Sequence, residues 1–326
     1  MCEPGVLQVK YRPDAIPESI PESIPDRHAT NGDQMQHPGT LIREMLARGG
    51  AVPVPGCYDA LGALLIEQAG FEAAYMTGFS LASSYGKPDI GLLTMTDMVQ
   101  QATRIAEAVS LPVLVDADTG YGGAANIVET VRAFEKAGIA GLHLEDQIMP
   151  KKCGAMAGKK LVPIEEMSLR LKAARAGRKS SEFVIIGRTD AMTIDGLEEV
   201  IVRAKAMERA GADAVMAPSL STPAELEAVA SSVKIPVIYV AAETVRPNYT
   251  RQQLAAAGFA MSLYPLSLIQ TTFKAQQDML RSMFASGDTV QLVDGMAQFA
   301  DVGRLVGVER AAAFDAELAT QVNEGS

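Results

Sequence analysis

Residues 136–145 read Lys136-Ala137-Gly138-Ile139-Ala140-Gly141-Leu142-His143-Leu144-Glu145, a helix end followed directly by a short apolar strand. Glycine at position 138 supplies the left-handed backbone conformation with which helices commonly end. The same Ala-Gly-apolar pattern recurs at residues 69–71, 210–212 and 257–259. A repeated helix–glycine–strand unit is typical of βα repeats arranged around a parallel sheet.

Short apolar segments alternate with longer amphipathic ones along the rest of the chain. Their residues do not alternate cleanly between apolar and polar, as expected of parallel strands that are buried on both faces. Regular βα units favour a closed (β/α)8 TIM-type barrel over an open doubly wound sheet, and no Gly-x-Gly-x-x-Gly motif follows the first strand to indicate dinucleotide binding. The predicted strands are residues 51–54, 73–77, 113–116, 141–145, 184–188, 214–216, 237–240 and 261–264.

The chain is predicted to form one catalytic barrel domain over residues 41–326, with a C-terminal helical extension after the last strand. Residues 1–40 differ in composition, with Ile-Pro-Glu-Ser repeated at 16–19 and 20–23. Such a Pro-, Glu- and Ser-rich segment buries too little apolar surface to offset the entropy of ordering it. We therefore expect residues 1–40 to be a disordered tail.

Composition excludes several classes of protein. A formal net charge of −10 and the absence of tryptophan disfavour nucleic acid as a partner, which needs clustered cations and stacking aromatics. No apolar run is long enough to span a bilayer, so no membrane association is expected. The three cysteines lack a framework spacing, which argues against a disulfide scaffold and favours the reducing cytoplasm.

Carboxylates follow two neighbouring strands, Asp116 and Asp118 after the third and Glu145 and Asp146 at the end of the fourth. A TIM barrel builds its active site from these strand ends. Crowded carboxylates repel one another unless they share a cation, and an all-oxygen set favours Mg2+, or alternatively Mn2+, over zinc. The alternative, that each carboxylate merely caps the next helix, suits Asp190 after strand five but not the paired carboxylates.

Two further features lie beside the proposed metal site. Arg188 ends strand five, where its planar guanidinium can bind both oxygens of a substrate carboxylate. Residues 150–160 carry glycines and lysines without apolar periodicity and are predicted to form a mobile lid. Cys153 follows two lysines in this lid, a setting that favours a depressed thiol pKa. It is either a catalytic acid or base or an incidental cysteine.

Three motifs in this order resemble the isocitrate lyase / phosphoenolpyruvate mutase superfamily, and the resemblance spans about residues 53–280. They are Asp116-Ala117-Asp118-Thr119-Gly120-Tyr121-Gly122, Leu144-Glu145-Asp146-Gln147 and Lys151-Lys152-Cys153-Gly154. The resemblance implies a (β/α)8 barrel that forms a homotetramer by exchanging C-terminal helices. It also implies a small 2-hydroxy or 2-oxo dicarboxylate as substrate and Mg2+ held by Asp116, Asp118 and Glu145.

The resemblance assigns substrate-binding residues as well. Thr77, Gly78 and Phe79 match the loop whose backbone amides receive the C1 carboxylate of the substrate. Arg188 matches the carboxylate-binding arginine. Gly154 and Lys152 belong to the lid motif and are assigned to substrate binding with it.

Within the superfamily, the Lys-Lys-Cys-Gly lid marks the carbon–carbon lyases, such as methylisocitrate lyase and dimethylmalate lyase. In those enzymes the lid cysteine, here Cys153, protonates the carbanion that is released when the C2–C3 bond breaks in a retro-aldol step. The resemblance assigns Lys151 to catalysis beside it. Tyr75 matches a tyrosine near the substrate hydroxyl and is assigned to proton transfer there.

The sequence departs from the lyases at positions that would read the distal part of the substrate. Ala155 replaces the usual lid histidine, residues 217–219 replace a common glutamate, and residues 240–244 replace a polar motif. The leading prediction is therefore a Mg2+-dependent lyase for a substituted malate other than methylisocitrate. The alternatives are an oxaloacetate decarboxylase or hydrolase, a phosphonopyruvate-processing enzyme, and a metal- and ligand-binding barrel without catalysis.

Overall fold

A computed structural model describes residues 36–245 and 247–324 of the chain. The segment predicted to be a disordered tail, residues 1–40, falls outside the described residues as far as position 35. The first helix begins at Pro38, slightly ahead of the boundary expected at Leu41. His37 caps this helix, because its Nδ1 accepts a hydrogen bond of 3.0 Å from the backbone N–H of Gly39.

Eight parallel strands pair in chain order, and the last closes on the first, so the predicted (β/α)8 barrel is confirmed. The strands from the third to the eighth have the predicted bounds. The strands are β1 (Val52–Cys57), β2 (Ala74–Met76), β3 (Val113–Asp116), β4 (Gly141–Glu145), β5 (Val184–Arg188), β6 (Ala214–Met216), β7 (Val237–Val240) and β8 (Met261–Tyr264).

Helices alternate with the strands and surround the barrel. The helices as far as the last strand are α1 (Pro38–Arg48), α2 (Ala60–Gln68), α3 (Gly78–Ser84), α4 (Met95–Ala108), α5 (Ala124–Lys136), α6 (Ile164–Gly177), α7 (Leu197–Ala210), α8 (Pro223–Ser232) and α9 (Arg251–Ala256). Beyond β8 the chain continues as α10 (Ser267–Ser286), α11 (Phe299–Leu305) and α12 (Val308–Glu324).

Strand β1 is longer than predicted, since it continues beyond Val54 to Cys57. Pro55 and Gly56 are unfavourable in a strand, because proline donates no ladder hydrogen bond and glycine weakens strands. In the barrel Gly56 instead permits a close approach: a Cβ there would lie 2.8 Å from the Cα of Pro265. The glycine is therefore part of the contact between β1 and the segment after β8.

The four repeated glycines have the backbone conformation expected of helix ends. Gly70, Gly138, Gly211 and Gly258 have φ angles of 81°, 79°, 91° and 95°, all in the left-handed region. Each glycine reverses the chain after a helix and sends it into the following strand. This confirms the structural basis on which the sequence pattern predicted the barrel.

Helix α1 closes one end of the barrel. Its Ile42, Met45 and Leu46 belong to the same buried cluster as strand residues inside the barrel, such as Val54 and Leu114. Arg43 on this helix donates hydrogen bonds of 3.0 and 2.7 Å to carbonyl oxygens of residues 182 and 181, just before β5 begins. The amino-terminal end of the barrel is thus filled, and the opposite end carries the polar residues.

The C-terminal helices contact the core only through partly buried residues, such as Leu268 and Leu305 in the described chain. Helix α10 has no buried residue, and Phe284 and Phe299 are 93% and 94% exposed. Across the described part of the chain, no helix combines the length and apolar character that crossing a membrane requires.

Candidate active site

A cavity of about 70 Å3, open on one side, lies at the carboxyl ends of the strands. Its walls come from nearly every strand–helix loop and from the lid. The lining residues are Tyr75, Thr77, Phe79, Asp89, Asp116, Lys151, Cys153, Gly154, Ala155, Arg188, Pro218, Ser219, Val240, Ala241, Ala242, Pro265 and Leu266. The charged ones come from the ends of β3 and β5 and from the segments after β2 and β4, whereas the described residues that line the cavity from the loops after β6, β7 and β8 are uncharged.

Three of the predicted carboxylates are buried at the ends of adjacent strands. Asp116 ends β3, Glu145 ends β4, and Asp118 lies two residues beyond β3 with φ +48°. The backbone N–H of Asp118 donates a 2.9 Å hydrogen bond to Oδ1 of Asp116. This bond fixes the turn that brings both aspartates to the same edge of the sheet.

Two cations lie against these carboxylates. Nζ of Lys151, from the lid, is 2.6 Å from Oδ1 of Asp118 and 2.5 Å from Oδ1 of Asp89. Nη1 of Arg188 is 3.2 Å from Oε2 of Glu145. Within the described residues, no three His, Cys, Asp or Glu side chains form a ready-made metal cage. In this arrangement the acidic groups are balanced by lysine and arginine.

Burial dominates the ionisation of two of the carboxylates. It raises the pKa of Asp118 to about 7, although Lys151 opposes the shift. It also raises the pKa of Glu145 well above its usual range, against the attraction of Arg188 and Lys151. Neither oxygen of Glu145 accepts a hydrogen bond within the described chain. A buried carboxylate with unused lone pairs is a position that a further cation would stabilise.

The lid places Cys153 on the cavity wall, but the predicted depressed thiol pKa is wrong. Burial is the largest influence, and with the charge of Asp89 it raises the pKa of Cys153 to about 11. The neighbouring lysines do not reverse this. Lys151 is paired with two aspartates, and Nζ of Lys152 lies 3.3 Å from the carbonyl oxygen of Ala157. At neutral pH the Cys153 thiol therefore keeps its proton.

The predicted substrate-binding residues are brought together only in part. Thr77, Phe79, Gly154 and Arg188 line the cavity, whereas Gly78 and Lys152 are not among the residues on its wall. Gly78 is the first residue of α3 and packs on a carboxylate, since a Cβ there would lie 2.7 Å from Oδ2 of Asp116.

Tyr75 lies inside the cavity and contacts a histidine that the sequence did not indicate. Its hydroxyl is 2.7 Å from Nε2 of His143, which in turn is 3.6 Å from Oδ1 of Asp116. Burial lowers the pKa of His143 to about 4, so this ring is neutral at neutral pH. Burial also raises the pKa of Tyr75 well above its usual value.

Sequence comparison agrees with this geometry. The family model for phosphoenolpyruvate phosphomutase matches residues 42–284, which include the whole barrel and the lid. The chain belongs to the phosphoenolpyruvate phosphomutase family. The superfamily predicted from the three motifs is thereby confirmed.

Curated members of the phosphoenolpyruvate phosphomutase family are similar over nearly their whole length. The 2,3-dimethylmalate lyase of Eubacterium barkeri is 39% identical over 281 residues, which cover 86% of this chain and 97% of that protein. A 2-methylisocitrate lyase of Shewanella oneidensis is 39% identical over 274 residues, 83% of this chain and 94% of that protein. Both relatives are named as lyases.

Solved structures of the family also superpose on this barrel. A crystal structure of phosphonopyruvate hydrolase in complex with oxalate and Mg2+ has a TM-score of 0.79 and 31% sequence identity. The match covers 86% of this chain and 99% of the hydrolase. That family member thus holds a divalent ion on the same fold.

Three polar residues near the cavity of the present chain were either not predicted from its sequence or given the wrong role. Asp89 lies in the loop between α3 and α4, away from any strand end, so no positional signal marked it. His143 lies inside β4, where a lone histidine usually reads as core. Asp190 does not cap the next helical turn, as the capping interpretation required; its side chain contacts Arg188 and Gln147 instead.

Proposed function

We propose that this chain is a Mg2+-dependent carbon–carbon lyase that cleaves a small 2-hydroxydicarboxylate by a retro-aldol step. The observation that carries the proposal is the placement of Cys153. The lid holds a protonated thiol on the wall of a cavity that also contains Asp116 and Arg188. A protonated thiol suits a general acid, which gives a proton to the carbon released when the bond breaks.

The carboxylates at the ends of β3 and β4 fit a divalent ion because they offer only oxygen donors and because Glu145 accepts no hydrogen bond within the described chain. We assign Asp116, Asp118 and Glu145 as the residues that hold Mg2+, with Mn2+ as the alternative, because all supply oxygen ligands. Neither oxygen of Glu145 accepts a hydrogen bond within the described chain, although Arg188 lies near Oε2, and this free hydrogen-bonding capacity supports the assignment. When bound, Mg2+ supplies Lewis acidity toward the oxygens of the substrate.

Arg188 is the proposed anchor for a substrate carboxylate. It lines the cavity, and its Nε is buried without a hydrogen-bond partner in the described chain. A buried donor without a partner costs free energy, which a carboxylate oxygen would recover. The main-chain amides at Thr77, Gly78 and Phe79 are the second proposed contact, with Gly154 and Lys152 contributing from the lid.

Tyr75 and His143 are proposed to move the proton of the substrate hydroxyl. Tyr75 passes its own proton to the neutral His143 as it accepts the proton of the hydroxyl, so no free phenolate is needed. The electron pair of the breaking C2–C3 bond moves to C3, where Cys153 delivers its proton. Lys151 remains an ammonium, since its contacts with Asp118 and Asp89 raise its pKa against the effect of burial, and it stabilises negative charge nearby.

The uncharged wall limits the substrate. Pro218, Val240, Ala241, Ala242 and Leu266 line the side of the cavity away from Arg188 and Lys151. Against these described residues, a third carboxylate would lose its hydration without gaining a cation. A substituted malate with an alkyl group therefore fits this cavity better than a tricarboxylate such as methylisocitrate.

The structural similarity to phosphonopyruvate hydrolase and to oxaloacetate acetylhydrolase supports a second candidate, cleavage of phosphonopyruvate or oxaloacetate at the same metal site. Both reactions also leave an enolate whose C3 must be protonated, so the Cys153 thiol suits either candidate. The phosphonate group of phosphonopyruvate carries more negative charge than a carboxylate, and the uncharged lining residues would not stabilise it.

The exposed C-terminal helices support a proposal for the oligomeric state, and the free cysteines support one for the cellular compartment. We propose a homotetramer in which the C-terminal helices of one subunit pack on another, since α10 buries no residue on its own barrel. Phe284 and Phe299 would be covered there. Cys57 and Cys153 are both free, as the cytoplasm allows.

A turnover assay with added Mg2+ tests the proposed function. The panel is 2,3-dimethylmalate, other alkylmalates, 2-methylisocitrate, isocitrate, oxaloacetate and phosphonopyruvate, each followed by release of its 2-oxo acid. We expect an alkylmalate to give the highest kcat/KM and EDTA to abolish its turnover. Turnover of oxaloacetate or phosphonopyruvate alone would replace the lyase with the second candidate.

A further inference from the structure

The side chain of Gln147 holds the backbone of the lid. Gln147 follows β4 and is 1% exposed. Its Nε2 donates a 2.9 Å hydrogen bond to the carbonyl oxygen of Lys152, and its Oε1 accepts one of 2.9 Å from the N–H of the same residue. One amide therefore satisfies both polar groups of a lid residue directly beside Cys153.

Asp190, across the cavity mouth on the loop after β5, completes this contact. Its Oδ2 accepts a 3.0 Å hydrogen bond from Nε2 of Gln147 and lies 3.1 Å from Nη2 of Arg188. Its Oδ1 lies 3.7 Å from Nζ of Lys159, at the far end of the lid. A single buried carboxylate thus contacts the lid support, the lid itself and the substrate-binding arginine.

The lid rests on this arginine without a gap. A Cβ at Gly154 would lie 2.6 Å from Nη2 of Arg188 and 3.2 Å from Oδ1 of Asp190. Lys159 also donates a hydrogen bond to the carbonyl oxygen of Gly154. A side chain at position 154 would therefore collide with the guanidinium, so the lid approaches Arg188 this closely because residue 154 is glycine.

We propose that Asp190 and Gln147 are positioning residues that couple the closed placement of the lid to the orientation of Arg188. The carboxylate of Asp190 holds Arg188 and, through Gln147, the lid segment that carries Cys153. The side chain of Asp190 therefore fixes the position of Arg188 relative to Cys153, and it needs no contact with the substrate to do so. This inference rests on the proposed roles of Arg188 and Cys153.

Limited trypsin digestion of the full chain tests the coupling without substrate. The lid carries its own cleavage sites at Lys151, Lys152, Lys159 and Lys160. Asp190→Asn keeps the size of the side chain but removes its charge, and Gln147→Glu places a carboxylate against Asp190 and the Lys152 carbonyl. We expect both variants to raise the rate of lid cleavage, measured by mass spectrometry, by about tenfold or more, because charge-assisted hydrogen bonds are lost.

Asp195→Asn is the matched control, since Asp195 is exposed on the same loop and loses the same charge. It should leave lid cleavage unchanged. If Asp190→Asn is cut throughout the barrel, the folded Gln147→Met variant carries the test, as it keeps the length of the side chain without its polar atoms. Cleavage of the lid at the wild-type rate in a folded variant would overturn the proposal.

Steady-state kinetics on the best substrate give the second readout. Asp190→Asn should raise KM and lower kcat together, about tenfold each, because both Arg188 and Cys153 lose their placement. Faster lid cleavage with unchanged KM and kcat would also overturn the coupling to Arg188. If digestion behaves as expected but no substrate on the panel is turned over, the coupling of the lid to Asp190 and Gln147 is supported and the proposed function fails.

Discussion

At the scale of single residues, the proton on Cys153 is the feature on which the chemistry depends. Burial raises its pKa to about 11, so the thiol is an acid at neutral pH. Cys153→Ser should lower kcat by about 10²- to 10⁴-fold with little change in KM, because serine is a weaker acid of similar size. Steady-state kinetics measure this loss, and Cys57→Ala, which changes a buried cysteine away from the cavity, is the control.

The carboxylates of the proposed metal site predict how Mg2+ binding depends on pH. Without metal, burial raises the pKa of Asp118 to about 7, so below that pH a proton occupies the site that the ion would take. Mg2+ should therefore bind more tightly at pH 8 than at pH 6 and release protons as it binds. Calorimetry in two buffers of different ionisation enthalpy measures both quantities, and equal affinity at the two pH values would contradict the assignment.

At the scale of the elements, the lid has room only for glycine at position 154. Gly154→Ala would place a methyl group 2.6 Å from Nη2 of Arg188, so the lid or the arginine must move. We expect kcat/KM to fall by about 10- to 100-fold while the thermal unfolding midpoint changes little. Gly123→Ala is the matched control, because nothing lies within 4 Å of the added Cβ and its φ of −78° is ordinary.

The elements were predictable from sequence where a local rule fixed them. The glycines at 138, 211 and 258 mark helix ends by a backbone requirement that few other residues meet, and the strands that follow them, β4, β6 and β8, have their predicted bounds. Strand β1 was predicted too short because its last residues depend on tertiary contacts that no local pattern contains: Pro55 pairs with Tyr264, and Gly56 packs against Pro265.

The site was predictable to the extent that its residues end strands. Asp116, Glu145 and Arg188 were found in this way. The contact of Lys151 with Asp89 joins two loops that are 62 residues apart, and nothing in the local sequence of either loop indicates it. The pKa of the Cys153 thiol was also not predictable from the local sequence. The adjacent lysines suggested a lowered pKa, whereas burial raises it.

At the scale of the whole molecule, the exposed apolar side chains of the C-terminal helices indicate that the protein forms an oligomer. Phe284 and Phe299 are almost fully exposed on the single chain, which is unfavourable for large apolar side chains in water. Wild-type protein should be a tetramer by size-exclusion chromatography with light scattering, and Phe284→Glu with Phe299→Glu should yield smaller species that remain folded. Gln321→Glu adds the same charge on exposed α12 and should leave the tetramer intact.

The most direct test of the lyase is product analysis by NMR after reaction in D2O with Mg2+. In D2O the thiol of Cys153 exchanges its proton for deuterium before it protonates carbon. Cleavage of 2,3-dimethylmalate or another alkylmalate should give a 2-oxo acid and a carboxylic acid with one deuterium, in one configuration, at the former C3. Intact alkylmalates beside consumed oxaloacetate or phosphonopyruvate would contradict the proposed carbon–carbon cleavage.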